Sequence, residues 1–187
     1  MGDLLDVAGL VEVLEAGSAE AGDVIFRLEQ LPVYDVASDG GDFRRWCGGG
    51  GEPDRDRKRV YTDLLEKRAA TGVLSQRVRV FSPDLSDYER YSCEWGYALN
   101  VPAGEDVRVL HRGEHRIPPL LGFDYWLLGR HTVVRMHYDD AGRFRGAELA
   151  PEVLQAVLDE RDELWTLAEP FATWYRRHPE LGRRPVA

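Results

Sequence analysis

The feature that most constrains the fold is a short turn sequence, Asp139-Asp140-Ala141-Gly142, between two segments that alternate apolar and polar residues. An Asp side chain accepts hydrogen bonds from the backbone that follows it, and Gly readily adopts a positive φ, so both residues favour tight turns. The flanking segments, 133–138 and 143–149, have the period-two pattern of β-strands. The sequence therefore predicts an antiparallel β-hairpin.

Helical and strand patterns fill the rest of the chain. Apolar spacing predicts helices over 4–15, 56–70 and 86–99, where Ser86 and Glu89 have the spacing of a capping box. Pro151 is suited to the first turn of a long C-terminal helix. Further strands are predicted within 23–36, 73–81, 105–111, 123–128 and 132–138.

This order of elements predicts an α+β fold. We expect a mixed, largely antiparallel sheet with helices mainly on one side and a long C-terminal helix. The predicted domain organisation is an N-terminal helix and linker over residues 1–22, a single α+β domain over 23–180 and a tail over 181–187.

Composition excludes several classes of protein. The 187 residues carry a formal net charge of −9, which disfavours direct nucleic-acid binding, because such binding needs cations that replace counterions on phosphates. There is no long apolar run and no basic leader, so neither a membrane span nor a secretory signal is predicted. The two cysteines do not make a disulfide framework, and a cytoplasmic protein is expected.

Arginines alternate with apolar residues on several predicted strands. If these strands turn the same face to one side, the sheet has a basic surface suited to phosphate, carboxylate or an acidic partner, since the guanidinium group binds oxyanions in a bidentate way. The alternative is an outer face on which acidic side chains pair with the arginines. The residues concerned are Arg77, Arg79, Arg108, Arg135, Arg143 and Arg145.

Other candidate chemical groups are isolated. His137, followed by Asp139 and Asp140, is a candidate acid or base, although the turn alone explains the two aspartates. Cys47 follows two arginines that would favour a reactive thiolate, with an ordinary cysteine as the alternative. His111 and His115 are four residues apart, but Gly113 and Pro118–Pro119 argue against a helix, so no metal site or cofactor is predicted.

Two segments have an open role. The Gly48–Gly51 run predicts a loop that is either a lid over a site or a surface connection. A set of aromatic residues belongs either to the core or to an exposed partner patch. Its members are Tyr88, Tyr91, Trp95, Tyr97 and Trp126.

The motifs Leu-Ser-Asp-Tyr at 85–88, Trp-Gly-Tyr at 95–97 and Arg-Met-His-Tyr-Asp-Asp at 135–140 occur here in fixed order. In these motifs the chain resembles a family of uncharacterised actinobacterial proteins, over residues 24–150. Members of that family are often encoded beside helix-turn-helix regulators. The resemblance implies no catalytic residues.

Two functions follow as hypotheses. The first is a regulatory protein that binds a partner, such as a helix-turn-helix regulator, through the arginine-bearing sheet face and the aromatic helix. The second is a small enzyme or binding protein for an anionic metabolite, with arginines holding the anion and His137 as acid or base. The first needs a flat, partly apolar exposed patch, and the second needs a concave pocket.

Overall fold

The computed structural model describes residues 4–17, 20–35, 39 and 41–182. Residues 183–187 of the predicted tail and residues 18–19 of the predicted linker lie outside the described residues, as do 1–3, 36–38 and 40. The described strands are β1 (Val24–Glu29), β2 (Leu74–Phe81), β3 (Glu105–His111), β4 (Tyr125–Leu128), β5 (Thr132–Tyr138), β6 (Phe144–Leu149) and β7 (Glu169–Pro170). The described helices are α1 (Val7–Ala16), α2 (Asp42–Cys47), α3 (Arg55–Ala70), α4 (Asp87–Ser92), α5 (Ala98–Asn100), α6 (Leu154–Leu167) and α7 (Phe171–Arg176).

The strands form one mixed sheet in the order β6-β5-β4-β1-β2-β3-β7. β1, β2 and β3 are parallel neighbours, joined by two crossovers that contain α2 to α5. The chain then returns so that β4 pairs antiparallel with β1, and β4, β5 and β6 continue as an antiparallel meander. The predicted hairpin is confirmed, because β5 and β6 flank the turn at 139–142.

The two faces of the sheet are covered differently. The front face carries Arg27, Arg77 and Trp126, and lies under α1, α2 to α4 and α7. The back face carries Phe26 and Tyr125, and packs against α6, alone among the α-helices of the described residues. The predicted α+β fold, with helices mainly on one side, is therefore confirmed.

Apolar side chains of alternate strand residues build the core on both faces. On the back face, strand residues such as Leu28 and Val78 pack against Val157 and Leu164 of α6. On the front face, Trp174 of α7 covers Phe81 near β3, and the inward side of α1 covers the β4–β6 half of the sheet. Burial on both faces explains why the central strands are rich in large apolar residues.

One helical prediction needs correction. The helix predicted over 86–99 begins as expected with a capping box at Ser86 and Glu89, but a π-helical turn, Cys93–Tyr97, separates α4 from α5. The predicted long C-terminal helix is confirmed as α6, which ends at Leu167 before the short strand β7 and helix α7. Pro170 lacks a backbone N–H and so ends the helical ladder, which explains the break.

Within the described part of the chain, no helix combines the length and the apolar character that crossing a membrane requires.

Candidate functional site

An open cleft of about 740 Å³ lies at the edge of the sheet where β1 and β5 end and β4 begins. We call it the carboxyl-end cleft. Three short segments and one arginine line it. They are residues 30–33, residues 122–124, residues 136–142 and Arg112.

The first wall of the cleft is the segment that follows β1. β1 ends at Glu29, where the next backbone N–H group, that of Gln30, donates to the Asp124 side chain, and Pro32 cannot donate to a ladder at all. The Gln30 side chain donates to the Phe123 carbonyl oxygen at 2.7 Å, and the Ser86 hydroxyl donates to the Pro32 carbonyl oxygen at 2.5 Å. The segment is therefore tied both to the entry of β4 and to the N-terminus of α4.

A buried carboxyl group lies at the base of this wall. Asp124 is 4% exposed and accepts hydrogen bonds from the Gln30 backbone N–H, at 3.0 Å, and from the Tyr34 hydroxyl. Burial raises the pKa of Asp124 to about 6, although the hydrogen bond from Tyr34 acts in the opposite direction. A titratable group with a shifted pKa in a cleft is a candidate for function.

The second wall is the hairpin turn. Asp139 Oδ1 accepts from the backbone N–H groups of Ala141 and Arg143 at 3.0 and 2.9 Å, so turn formation explains this aspartate. Gly142 has a φ of +77°, and a Cβ atom there would lie 2.3 Å from the Val33 carbonyl oxygen. Only glycine lets the two walls approach so closely.

Two cleft residues hold charges that the turn does not use. The guanidinium group of Arg112 and the carboxylate of Asp140 form no ion pair with any of the described residues, and both residues are exposed. His137 also lines the cleft, and its Nε2 atom lies 3.2 Å from Glu148 Oε1. The cleft therefore presents an unpaired cation, an unpaired anion and an imidazole.

The predicted arginines do not share one face of the sheet. Arg77 and Arg79 lie buried on the front face, whereas Arg108 and Arg135 lie on the back face, as the strand register requires. Arg77 is held between Glu29 and Glu105, at 2.7 and 2.8 Å. A single basic surface is thus absent among these four side chains.

Arg79 nevertheless supports the cleft from below. Its Nη2 atom donates to the Leu31 carbonyl oxygen at 2.5 Å, so this buried side chain positions the first wall. Arg143 and Arg145 lie on the hairpin and do not line the cleft; they pair with Asp35 at 2.9 Å and with Asp139 at 3.6 Å.

The predicted aromatic set belongs to the core and not to an exposed patch. Tyr88, the most exposed of the five, is only 9% exposed. Tyr88, Tyr91 and Trp95 form one cluster with Trp46 of α2. The Tyr97 hydroxyl donates to Glu29 Oε2 at 2.9 Å beneath the helices. Trp126 packs in a separate group of apolar side chains on the front face of the sheet.

The remaining predicted groups lie away from the cleft. Partial burial raises the pKa of the Cys47 thiol, and the Asp87 carboxylate raises it further, which is opposite to what a reactive thiolate needs. No residue of the Gly48–Gly51 loop lines the cleft, so the loop does not cover it in this structure. Among described residues, the group with metal-ligand spacing is Glu114, His115 and Glu169, at the β3 end of the sheet.

Sequence reasoning found His137 but missed Arg112, Asp124 and Tyr34. Arg112 directly follows β3 and Asp124 directly precedes β4. Ligands of open sheets with parallel strands bind beyond the carboxyl ends of those strands. Polar residues next to strand ends were therefore the available signal, but it needs the order of the strands.

The fold and the cleft define the chain as an α+β protein whose one mixed sheet bears an open polar site at its carboxyl edge. A family model, domain of unknown function (DUF6879), matches residues 14–176, and the chain belongs to this family. No curated protein and no solved structure matches the chain.

Proposed function

We propose that the chain binds a small polar molecule in the carboxyl-end cleft. The single observation that carries this proposal is the buried carboxyl group of Asp124 at the base of an open cleft, where burial raises its pKa to about 6. Concave sites with a few convergent polar groups are where small ligands bind. This function is close to the second hypothesis from the sequence, but the binding site lies in the cleft and not on the arginine-bearing strands.

The position of the cleft supports this function. β1 lies between the two halves of the sheet, with β2 and β3 on one side and β4 to β6 on the other. The carboxyl end of β1 therefore lies beside the entry of the antiparallel strand β4, and residues of both segments line one crevice. A site at this position is formed by residues at strand ends and in loops, and not by the core residues of the strands.

The charges in the cleft favour a ligand with both signs of charge. Arg112 offers an unpaired cation and Asp140 an unpaired carboxylate, so a zwitterion or a molecule with separate donor and acceptor ends complements them. The anionic metabolite of the sequence hypothesis stays as the alternative. It is weakened because each of the six predicted arginines lies within 4.0 Å of a carboxylate.

A thermal-shift experiment tests the proposal. Tag-free protein is heated with zwitterionic, cationic and anionic small molecules, since a ligand that binds only the folded state raises the melting temperature. We expect zwitterionic compounds to give the largest shifts, and Arg112→Ala and Asp140→Ala to reduce them. His131→Ala is the control, because His131 is exposed and lies outside the cleft.

Two outcomes discriminate the alternatives. Shifts with anions that vanish in Arg112→Ala and His137→Ala, but persist in Asp140→Ala, favour the anionic metabolite. Shifts that neither Arg112→Ala nor Asp140→Ala reduces contradict a ligand in this cleft.

A second candidate function is the regulatory one, in which the chain binds a partner such as a helix-turn-helix regulator. It is supported by exposed apolar residues on α1, where Val7 and Val11 are 64% and 46% exposed and lie one turn apart. Exposed apolar side chains of this kind occur at protein interfaces. The aromatic patch of the original hypothesis does not support it, because those side chains are buried.

Co-purification with a helix-turn-helix regulator encoded beside the gene tests this candidate. We expect Val7→Asp to abolish the complex, while Val60→Asp preserves it, because Val60 is 78% exposed on α3. Equal binding by both variants contradicts an interface on α1.

A further inference from the structure

Three of the five histidines of the chain meet at the carboxyl end of β3. His111 is the last residue of β3, His115 follows in the next turn, and His178 comes from the segment after α7. Two carboxylates lie among them, Glu114 from the same turn and Glu169 from β7. The cluster therefore joins three separate parts of the chain.

The ligand atoms of Glu114, His115 and Glu169 all lie within 4.8 Å of one another. His115 Nε2 and Glu169 Oε1 are 3.2 Å apart. Two ligand atoms on a tetrahedral zinc ion, each about 2.1 Å from the metal, are separated by about 3.4 Å. The imidazole and one carboxylate thus already have the spacing that a shared ion requires.

The His115 ring can adopt the tautomer that a metal ligand needs. Its Nδ1 atom accepts a hydrogen bond from the His111 backbone N–H at 3.0 Å and lies 3.3 Å from the His111 carbonyl oxygen. A metal ion at Nε2 requires the ring proton to move to Nδ1, where the His111 carbonyl oxygen accepts it in place of the contact with the N–H group. A backbone carbonyl in this role is typical of metal-binding histidines.

Two further imidazoles of the cluster face the Glu114 carboxylate. His111 is 9% exposed, and its Nδ1 atom has no hydrogen-bond partner among the described residues, although Glu114 Oε1 is 3.2 Å away. His178 Nε2 is likewise buried without such a partner, 2.9 Å from the same oxygen. Because His111 Nε2 lies 3.0 Å from the Pro83 carbonyl oxygen, it is the Nδ1 atom that faces the Glu114 carboxylate.

Arg177 partly supplies positive charge to the two carboxylates. It contacts both oxygens of Glu169, at 2.7 and 2.9 Å, and Glu114 Oε2 at 3.3 Å. Its side chain is 50% exposed, so it can turn away into solvent. An arginine in this position competes with a metal ion and does not block the imidazole.

We propose that Glu114, His115 and Glu169 form a binding site for a divalent transition-metal ion of the Zn²⁺ type. One imidazole with two carboxylates suits such ions, because imidazole nitrogen selects them over Mg²⁺ and Ca²⁺. Three protein ligands leave one coordination position open, as in catalytic and not structural zinc sites. The site is separate from the carboxyl-end cleft and does not depend on the function proposed for it.

Calorimetric titration with Zn²⁺ and absorption spectroscopy with Co²⁺ test this site on tag-free protein. We expect one ion per chain and the visible d–d bands of Co²⁺ bound to nitrogen and oxygen. His115→Ala and Glu169→Gln should each weaken binding about a hundredfold or more, given that even groups behind metal ligands contribute about 10- to 100-fold. His131→Ala is the matched histidine control and should leave the affinity unchanged.

Arg177→Gln makes the test decisive. Because Arg177 occupies both carboxylates, its removal should raise the affinity for Zn²⁺ about tenfold, although an ion pair is lost. Absence of Zn²⁺ binding in both wild type and Arg177→Gln overturns the proposal. The cluster is then a network of ion pairs that does not bind a metal ion. Zn²⁺ binding that persists in His115→Ala and Glu169→Gln overturns it as well.

Discussion

Two buried acids of the same sheet illustrate two different uses of charge. Glu29, at the end of β1, is 5% exposed, and Asp124, before β4, is 4% exposed. Burial alone would raise the pKa of Glu29, but the guanidinium groups of Arg27 and Arg77 hold it well below its usual range. Burial raises the pKa of Asp124 to about 6, and its hydrogen-bond donors among the described residues, the Gln30 N–H and the Tyr34 hydroxyl, are neutral.

The difference separates a structural region from a candidate site. Around Glu29, Arg77 donates to Glu29, Glu105 and the Tyr61 hydroxyl. We call these four residues the front-face cluster; its charged groups are paired with one another within the core. The carboxyl-end cleft instead keeps unpaired charges at its surface and a desolvated carboxyl group at its base. Paired buried charge fixes the structure, whereas unpaired polar groups in a cleft are available to a ligand.

The largest expected effect is that of Arg77→Met. Loss of Arg77 leaves Glu105 without its cation in the core, and breaking a buried ion pair in this way costs about 3–5 kcal/mol of unfolding free energy. Urea denaturation measures it. Arg130→Met is the control, because the Arg130–Asp162 pair is exposed, and its loss should cost less than about 1 kcal/mol. Equal costs would show that the front-face cluster is not structural.

The next effect is that of Gly142→Ala on the hairpin wall. The left-handed backbone costs about 1–2 kcal/mol for a non-glycine residue. The new Cβ also meets the Val33 carbonyl oxygen. Gly122→Ala is the matched control, since Gly122 has a φ of +81° but open space around it. We expect Gly142→Ala to cost more than Gly122→Ala in denaturation experiments; equal losses would mean that the walls do not press together.

Asp124 should give stability a pH dependence opposite to that of Glu29. The carboxyl group keeps its proton more tightly in the folded state, so its contribution is present at low pH and is lost as pH rises through about 6. Relative to Asp124→Asn, wild type should lose about 2 kcal/mol of unfolding free energy between about pH 4 and about pH 8. A constant difference across this range would place the pKa of Asp124 at its ordinary value.

The smallest effect is expected for Arg143→Ala. Arg143 pairs with Asp35 across the outside of the cleft wall, with both side chains more than half exposed. Exposed pairs of this kind contribute about 0.2–1 kcal/mol, so the melting temperature should hardly change. A loss as large as that of Arg77→Met would contradict the contrast between the two regions.

Local sequence patterns predicted most helices and strands. They could not predict which distant strands pair with each other in the sheet. The turn at 139–142, the capping box at Ser86 and the alternation of Arg77 and Arg79 are local, and the structure has them all. The pairing of β4 with β1 joins segments about a hundred residues apart in sequence, which no period reveals. Without it, Arg135 could not be assigned to the face opposite Arg77, nor Asp124 to the carboxyl-end cleft.

The candidate site shows the same limit. His137 was identifiable because it lies beside the turn, but other polar groups of the cleft come from the end of β3 and the entry of β4. The aromatic residues from Tyr88 to Tyr97 were ambiguous, since a helix in a core and a helix at an interface carry the same pattern. In the structure, α2 and the front face of the sheet pack against these aromatic residues, so they belong to the core.

Chemical-shift mapping by ¹H–¹⁵N NMR tests the central claim most directly. Tag-free protein is titrated with the compound that gives the largest thermal shift. We predict that amide signals of Leu31, Asp124 and residues 138–142 move in a saturable way, while those of Arg77 and Glu105 in the front-face cluster stay in place. Signals that move in the front-face cluster but not around the cleft would contradict the assignment of one region to structure and the other to binding.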